Sequence, residues 1–455
     1  MSGYTNDGAL AYRRYLIYVG FTAGPIAMLG ALQLNYFTLY ATDELLIAPA
    51  VVGTIFAIAR IYDGVTDLLI GWWSDQREGR SGRRRPLLII SAGSFIVLPL
   101  LWLPPISLDG IALIAFFAVA LLAFETFSTL YNVPFISMGI EVARTPKKRA
   151  FAIVVDRAVG IVGLVGGLAL MQFLINSDDA RATLPPFILG LAVILFLTTI
   201  GFGLALRELP LKQEGDERAP FRLLREIWSI RNYRQFMAVV CAETFCYASI
   251  GFGAVYVMQY VVERPELTIL IFLTYFVLQY LTPMLWYRLI PRFGLVKVWL
   301  YGQYLWFLAF LLFPLVLIFG LPAFWLMAAL GGIASAAGIC AGRAVLGDIV
   351  DYDAERSKRQ RQGIYTTTFL LAGKIVSAVA VFALGWLLEL SGYVPGANQN
   401  TAVIAAISLS VSALPLIAVT CSILILRRYD FYTTTEKSDG LRKALPLVGR
   451  PTAVS

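Results

Sequence analysis

Apolar residues recur along nearly the whole chain in runs of about 20, with short polar intervals between them. A run of that length crosses the roughly 30 Å hydrocarbon core of a bilayer as an α-helix. The pattern therefore predicts an all-α integral membrane protein with about twelve transmembrane helices. The predicted helices span residues 14–40, 47–73, 87–105, 110–140, 150–177, 184–206, 233–261, 267–290, 296–319, 322–349, 363–391 and 402–426.

The composition excludes an ordinary soluble protein, because hydrophobic residues make up 58% of the 455 residues and charged residues only 15%. The opening residues are polar and no small-residue cleavage site follows them, so we expect the first helix to remain in the mature protein. The four cysteines all fall in predicted helices, and the chain has no histidine. We therefore expect no disulfide framework, no His-ligated metal site and no His-based membrane enzyme.

The basic residues sort sharply by loop. Of the 37 Lys and Arg residues, 31 fall in the termini and in alternate loops, two (Arg181 and Arg264) in the opposite loops, and four inside predicted helices. By the positive-inside rule, both termini and the basic loops are predicted to be cytoplasmic, in a multi-pass protein of the cell (inner) membrane. The net charge of +8 comes from these loops and not from one basic module, so nucleic acid is not an expected partner.

The chain also divides into two similar parts. The longest polar interval between helices follows the sixth, and "GWWSDQREGRSGRRRP" after the second helix has a weaker counterpart, "PRFGLVK", after the eighth. Two parallel six-helix repeats give this pattern. We therefore predict an N-terminal six-helix bundle at 1–206, a cytoplasmic central loop at 207–230, a C-terminal six-helix bundle at 231–427 and a cytoplasmic tail at 428–455.

Charged residues inside the predicted helices are the main clue to function. Each costs about 2.5–3.5 kcal/mol on insertion scales, so such residues must pair with one another or reach water. A cavity between two helix bundles would supply that water. The charged positions are Arg60, Asp63, Asp67, Glu125, Asp156, Arg157, Glu243, Arg343 and Lys374.

The second predicted helix has three of these charges on one face. At 100° per residue, Arg60, Asp63 and Asp67 lie within about 60° of each other. Two carboxylates one turn apart, with the Thr66 hydroxyl beside them, make an oxygen-rich site for a small cation. Arg60 is expected to balance the two carboxylates when that site is empty.

Polar groups on other helices could complete this site or could be structural. Glu125, Thr129 and Asn132 form one stripe on the fourth helix, and Lys374 lies in the middle of the eleventh. The alternative is that the charges are salt bridges that lock helices together, and for Arg343, near a helix end, that the side chain snorkels to the interface. This alternative is weakest for the second helix, since two acids exceed what one arginine needs.

Three segments resemble a known family. "RIYDGVTDLLIGWWSDQREGRSGRRRP", "YNVPFISMGIEVARTPKKRA" and "LGDIVDYDAERSKRQRQGIYTTTFLLAGK" are similar to the signature segments of the glycoside–pentoside–hexuronide:cation symporters, the melibiose-permease group of the major facilitator superfamily. With the number of predicted helices, the resemblance extends over essentially the whole chain. It implies the major facilitator fold and transport by alternating access.

The resemblance also implies roles for single residues. The cation-site residues of the family match Asp63, Thr66, Asp67 and Thr129, and a sugar-site arginine matches Arg157. The lysine that links the two sites matches Lys374. With the polar positions above, we expect solute contacts from Asn132, Arg157, Lys374, Glu125 and Arg343, and coupling through Arg60 and Lys374.

The chain departs from the melibiose permeases at the galactoside. The carboxylates that hold the sugar hydroxyls there are replaced by Ala27 and Asn132, and the flanking tryptophans by Ile136 and Ile339. A disaccharide of the melibiose type is therefore not expected. Arg157, Lys374 and Arg343 remain, so the balance of charge favours an anionic solute such as a hexuronide or sulfonated sugar. An apolar lining would also suit an amphipathic glycoside or a lipid-like solute.

These observations favour a cation-coupled symporter of a sugar-like solute over two other classes. A membrane enzyme would need a nucleophile with a base or a metal cluster, and neither pattern is present. A transporter-like sensor without transport is the remaining alternative. The coupling cation is Na⁺, held by Asp63 and Asp67, or a proton on one carboxylate. We expect no other cofactor, and a monomer whose partners are the solute, the cation and the lipid bilayer.

Overall fold

The computed structural model describes residues 2–76, 85–142, 146–177, 179–205, 220–357 and 362–429. Within these ranges the regular secondary structure is entirely helical. Six membrane-crossing helices precede residue 206, and we call them the N-terminal set. They are α1 (Ser2–Asn35, continued by Phe37–Leu39 and a π-helical turn at Tyr40–Glu44), α2 (Pro49–Gln76), α3 (Arg85–Ser91 and Gly93–Trp102), α4 (Gly110–Val142), α5 (Pro146–Ile175) and α6 (Pro185–Ala205).

Six further crossing helices follow residue 230 and form the C-terminal set. They are α7 (Arg231–Tyr256 with a π-helical turn at Val257–Val261), α8 (Thr268–Leu281 and Pro283–Phe293), α9 (Leu295–Leu311 and Phe313–Phe319), α10 (Leu321–Ser357), α11 (Gln362–Leu390) and α12 (Thr401–Ser408, a π-helical turn at Leu409–Ala413, and Leu414–Arg427). We call the membrane face where α1 begins and α12 ends the terminal face, and the opposite one the distal face.

Length and apolar composition support these crossings. Within the described residues, 10 helices are long and apolar enough to cross a membrane, and α8 qualifies as a bent pair with an angle of 43°. The remaining crossing, α2, is 28 residues long, and its charges lower its hydropathy. The helices thus agree with the all-α membrane architecture that the sequence predicts.

The ends of α1 and α7 repeat one irregular geometry. Leu45 N bonds to Tyr40 O and Ile47 N to Ala41 O, as Val262 N bonds to Val257 O and Arg264 N to Met258 O. Both turns are followed by a residue with positive φ, Leu46 (54°) and Glu263 (56°). Since such φ values are unusual for these residue types, the shared geometry indicates that α1 and α7 are equivalent helices of an internal repeat.

Small residues bring helices of the two sets together. A Cβ on Gly53 of α2 would lie 3.0 Å from Val381 O, and one on Gly385 of α11 would lie 2.3 Å from Pro49 O. The resulting α2–α11 interface is the most extensive contact between the sets. A second contact, the α5–α8 interface, is formed at the distal end of α5.

The segment between the sets differs in part from the prediction of a loop at 207–230. Residues 206–219 lie outside the described residues, but Pro220–Trp228 forms a helix. Its Ile227 is fully buried and packs in one cluster with Tyr233 and Tyr365. Leu224 packs against the same cluster one turn before Ile227, and burial of this apolar face stabilises the helix. Of the predicted tail at 428–455, residues 430–455 lie outside the described residues.

Candidate functional site

A cluster of five charged side chains lies in the middle of α2, where α2 meets α4 and α11. Lys374 of α11 places its Nζ 2.6 Å from Asp63 Oδ2 and forms a second ion pair with Asp67 Oδ2. Asp63 is only 5% exposed. The two carboxylates predicted to face one side of the second helix therefore share one ammonium group from the other helix set.

Two threonine hydroxyls adjoin the same carboxylates. The Thr129 hydroxyl, fully buried on α4, donates to Asp63 Oδ1 at 2.9 Å. The Thr66 hydroxyl donates to the Asp63 carbonyl at 3.0 Å and lies 3.3 Å from the Thr129 hydroxyl. Hard cations prefer such oxygen ligands. The structure thus brings together the four residues proposed from the sequence to hold a cation.

The position of Arg60 corrects one expectation. Arg60 was expected to balance the two aspartates, but Lys374 does so, and Arg60 NH1 lies 3.6 Å from Glu125 Oε1 instead. The close approach of α11 is possible because Gly53 and Gly385 let the two backbones meet, and Gly64 leaves room for the Leu371 side chain, one turn before Lys374. Sequence spacing could not reveal this tertiary contact.

Glu125 also differs from its expected role as a solute contact. Its side chain is buried beneath Arg60, with 6% of the residue exposed. It is not among the described residues that line the central cavity. Glu125 instead completes the charged cluster, in which three carboxylates (Asp63, Asp67 and Glu125) face two basic groups (Arg60 and Lys374). The cluster therefore has one formal negative charge in excess.

A cavity of about 810 Å³ lies between the two helix sets, beside this cluster. Three of the predicted solute contacts line it, namely Asn132, Arg157 and Arg343, and the side chains of both arginines are exposed. Lys374 was predicted to contact solute as well, but its ammonium group lies in the charged cluster. On α4, Thr129 in the cluster and Asn132 in the cavity are one helical turn apart, so one helix connects the two sites.

Two of the positions that depart from the melibiose permeases lie in the cavity wall. Ala27 and Ile339 line the cavity, whereas the side chain of Ile136 lies outside the described residues. The wall also contains carboxylates that sequence analysis did not assign to the solute, those of Asp156 and Glu243. Among the described residues, two arginines and two carboxylates therefore line the cavity, and its charge is more even than the sequence suggested.

Hydrogen bonds between the two sets close the distal side of the cavity. The phenols of Tyr260 and Tyr393 donate to the two oxygens of Asp43 at 2.5 and 2.6 Å, and the Thr42 and Tyr256 hydroxyls lie 3.0 Å apart. Burial raises the pKa of the Asp43 carboxyl, although the phenol donors partly offset the effect. Asp43 and Tyr260 occupy equivalent positions in the repeated turns of α1 and α7.

The α5–α8 interface adds a second closure at the distal face. Gln172 donates from Nε2 to Pro265 O at 2.9 Å and accepts at Oε1 from the Ile269 amide at 2.8 Å. Nothing in the sequence pattern singled out Asp43 or Gln172, because each obtains its partners from a distant segment. The described structure is therefore closed at the distal face, and the cavity extends from the middle of the helices toward the terminal face, as far as Arg343 and Phe369.

Comparison with known proteins agrees with this architecture. A family described as MFS/sugar transport protein matches residues 19–432. The chain belongs to this family. Among curated relatives, a protein of Escherichia coli K12 provisionally named a glycoside/cation symporter, YagG, is 25% identical over 88% of both chains. A protein of the same organism provisionally named a 2,3-dihydroxypropane-1-sulfonate exporter is 24% identical over 80% of both chains.

Solved structures show the same fold. The crystal structure of the nucleoside transporter NupG (D323A mutant) superimposes with a TM-score of 0.64 at 13% identity, covering 93% of this chain and 98% of NupG. The expected assignment to the glycoside–cation symporters of the major facilitator superfamily is thus confirmed. The protein is a multi-pass membrane transporter and not an enzyme.

Proposed function

We propose that the protein couples the movement of one monovalent cation, Na⁺ or H⁺, to the uptake of a sugar-like solute by alternating access. The solute class is a glycoside, a hexuronide or another anionic sugar derivative. The observation that carries the proposal is the charged cluster, in which Lys374 spans Asp63 and Asp67 and one negative charge stays uncompensated. The names of the two E. coli relatives support a hydroxylated or anionic solute.

The excess charge favours binding of one cation. In a setting of low dielectric constant, a carboxylate without a counterion is strongly disfavoured, so a cation entering the cluster lowers the free energy. The oxygens of Asp63, Asp67, Thr66 and Thr129 would hold Na⁺, or one of the carboxylates would take a proton. Either cation competes with the Lys374 ammonium group for the same oxygens.

Release of Lys374 would transmit cation binding to the solute site. Lys374 belongs to α11, which also contributes Phe369 to the cavity wall, and Thr129 shares α4 with Asn132. Cation binding therefore changes the α2–α11 interface and the cavity together. By linkage, the solute raises the affinity for the cation by the same factor, typically worth about 1–3 kcal/mol.

We place the terminal face in the cytoplasm, since the basic loops join the helices on that side. Uptake would then begin with the distal face open to the outside, and the described structure corresponds to the state closed to the outside. A C-terminal fusion to a reporter that is active only in the cytoplasm tests this orientation. Activity of a reporter that works only outside the cytoplasm would contradict it.

Transport in proteoliposomes tests the proposal directly. Labelled D-glucuronate and methyl β-D-glucuronide are supplied under an inward Na⁺ gradient, an inward proton gradient, or neither. We expect accumulation above equilibrium with one of the two gradients only. Equal uptake in all three conditions would indicate an uncoupled carrier, and binding without uptake would indicate a sensor; either result contradicts the proposal.

A further inference from the structure

Glu243 of α7 is a carboxylate that the charged cluster does not use. It lines the central cavity, and the Trp299 indole N–H donates to its Oε2 at 3.0 Å. Among the described residues, no Lys or Arg side chain forms an ion pair with it. Membrane insertion of a carboxylate with one neutral donor is costly, and such a residue is by default a candidate functional group.

The surrounding helices hold this carboxylate in the cavity wall. Its Oε1 faces α10 at Gly338, where a Cβ would lie 1.8 Å from that oxygen. Only glycine at this position leaves room for Glu243 in its observed conformation. The Trp299 donor on α9 fixes the other oxygen, so two helices of the C-terminal set orient the carboxylate.

Further neutral polar groups of the C-terminal set lie in the same cavity. Gln279 of α8 donates to the Ser335 hydroxyl at 2.9 Å, and Thr244 follows Glu243 on α7. A few placed polar groups in a mostly apolar wall are typical of sites that bind small molecules. A carboxylate accepts hydrogen bonds, so it recognises hydroxyl groups as donors.

The cavity also contains two arginines, whose positive charges can bind an anionic group. Arg157 of α5 and Arg343 of α10 line it with exposed side chains, and neither forms an ion pair with a described carboxylate. The second carboxylate in the wall, Asp156, is adjacent to Arg157 on α5. The α1 and α4 walls contribute no described carboxylate to the cavity.

We infer that the solute is a sugar acid bound in one orientation, with hydroxyl groups donating to Glu243 and the anionic group against Arg157. This inference rests on the proposed transport function and names the solute class of that site. Glu243 acts on the solute and not on the coupling cation, because the cluster that holds the cation lies on α2, α4 and α11. The hydroxyl groups are thus recognised by α7 of the C-terminal set and the anionic group by α5 of the N-terminal set, while coupling comes from α2 and its partners.

The test measures affinity in the purified full chain with two probes that differ at one end. D-Glucuronate has ring hydroxyls and a carboxylate, whereas D-glucose has the hydroxyls alone. Ligand-dependent thermal stabilisation gives the affinity of each probe for wild type, Glu243→Gln and Arg157→Gln. Glu266→Gln is the matched control, since Glu266 is an exposed carboxylate on the distal surface.

We expect Glu243→Gln to weaken D-glucuronate and D-glucose alike, by about tenfold or more, the effect of losing hydrogen bonds to a charged acceptor. Arg157→Gln should weaken D-glucuronate by a larger factor than D-glucose. Trp299→Phe keeps the carboxylate but removes its donor, and should produce a smaller loss for both probes. The Glu266→Gln control should bind both probes as wild type does.

Wild-type affinity for D-glucuronate in Glu243→Gln would overturn the inference, as would failure of wild type to bind either probe. Stabilisation of the same samples by Na⁺ or by lower pH, without any solute, tests the proposed function separately. A Glu243→Gln protein that keeps this cation response but loses probe affinity supports the inference. A wild type that binds the probes with no cation response contradicts the proposed coupling alone.

Discussion

The α2–α11 and α5–α8 interfaces join the same two helix sets, but their chemistry differs. At the α2–α11 interface, an ammonium group from one set lies between two carboxylates of the other, in the middle of both helices. At the α5–α8 interface, a neutral amide side chain bonds to two backbone groups near the distal face. Only the first interface can respond to a cation, because only it contains groups whose charge a cation can neutralise.

The difference shows how one repeated architecture can perform two tasks. The turns that end α1 and α7 have the same hydrogen bonds and the same positive φ, so the backbones of these helices are equivalent. The second helix of the C-terminal set, α8, has no charged residue from Thr268 to Tyr287, whereas α2 has Arg60, Asp63 and Asp67 in its middle. The carboxylates proposed to bind the coupling cation are therefore present in one repeat only, and their ammonium partner Lys374 comes from the other.

The largest expected effect comes from the carboxylates of the α2–α11 interface. Asp63→Asn or Asp67→Asn removes the excess negative charge, leaving two carboxylates against two basic groups. Two unit charges about 4 Å apart interact by about 4 kcal/mol at an effective dielectric constant of 20. Cation affinity should fall on the order of a thousandfold, since each 1.4 kcal/mol is worth about tenfold, and gradient-driven accumulation in proteoliposomes should disappear.

The control for this prediction is Glu389→Gln, which neutralises an exposed carboxylate near the distal end of α11. We expect it to transport as wild type does. Membrane insertion of all variants is checked by their yield and elution as a single species. Full accumulation by the Asp63→Asn, Asp67→Asn double variant would show that the cation binds elsewhere.

The next effect concerns Lys374, the other half of the same ion pairs. Lys374→Ala leaves three carboxylates against Arg60 alone, so cation affinity should rise. The bound cation should then no longer change the affinity for the solute. Allosteric coupling typically changes affinity about 5–150-fold. In Lys374→Ala we expect the ratio of solute affinities with and without the cation to fall to near one. The measurement is the affinity for D-glucuronate at zero and saturating cation.

Lys374→Arg tests whether coupling needs the ammonium group itself or only a positive charge. A planar guanidinium cannot replace the compact ammonium between Asp63 and Asp67, so this variant should also lose coupling. If Lys374 were only a structural counterion, the arginine would preserve both the thermal stability and the affinity ratio. An unchanged ratio in Lys374→Ala would remove Lys374 from the coupling mechanism.

The neutral α5–α8 interface should give a smaller effect that does not depend on the cation. Gln172→Met leaves the partly buried Ile269 amide without its side-chain acceptor, while the Pro265 carbonyl keeps the Thr268 hydroxyl as a donor, at a cost of about 1–3 kcal/mol in the distal-closed state. Hydrogen exchange in the peptide that contains Ile269 should become faster. The ratio of exchange rates with and without the coupling cation should match that of wild type.

The exchange experiment has an internal control in the Phe313–Phe319 segment of α9, which belongs to neither interface. Its exchange should be the same in both proteins. If Gln172→Met changed the response to the cation, the conclusion that only the α2–α11 interface responds to the cation would be wrong.

Sequence patterns predicted the helices well, because hydropathy depends only on local composition. Helical periodicity also placed Asp63 and Asp67 on one face of one helix, whereas the pairing of Thr129 with them was implied by the family resemblance. The partner of Arg60 and the position of Glu243 depend on contacts between distant helices. Gly338 leaves the space that Glu243 occupies, and a glycine in a sequence does not reveal which helix will occupy such a space.

The smallest expected effect is a pH dependence at the distal face, where Asp43 lies between the phenols of Tyr260 and Tyr393. Burial raises the pKa of Asp43 in the closed structure, whereas water would return the pKa to its ordinary value when this face opens. Protonation therefore favours closure. This contribution is complete below the ordinary pKa and is lost as the pH rises through the raised value.

Asp43→Asn removes this titration, since its side chain is neutral at every pH. Burial and the charges of Asp179 and Asp43 raise the pKa of the neighbouring Glu44, so Asp43→Asn also changes the titration of Glu44, and Glu44→Gln is therefore introduced into both proteins as a common background. We therefore compare hydrogen exchange of the Tyr256–Arg264 segment in wild type and Asp43→Asn at each pH from 4 to 7. Intrinsic exchange changes equally in both, so their ratio reports opening, and we expect wild type to become relatively faster as the pH rises. A constant ratio would mean that closure of the distal face depends on the phenol hydrogen bonds but not on the charge of Asp43.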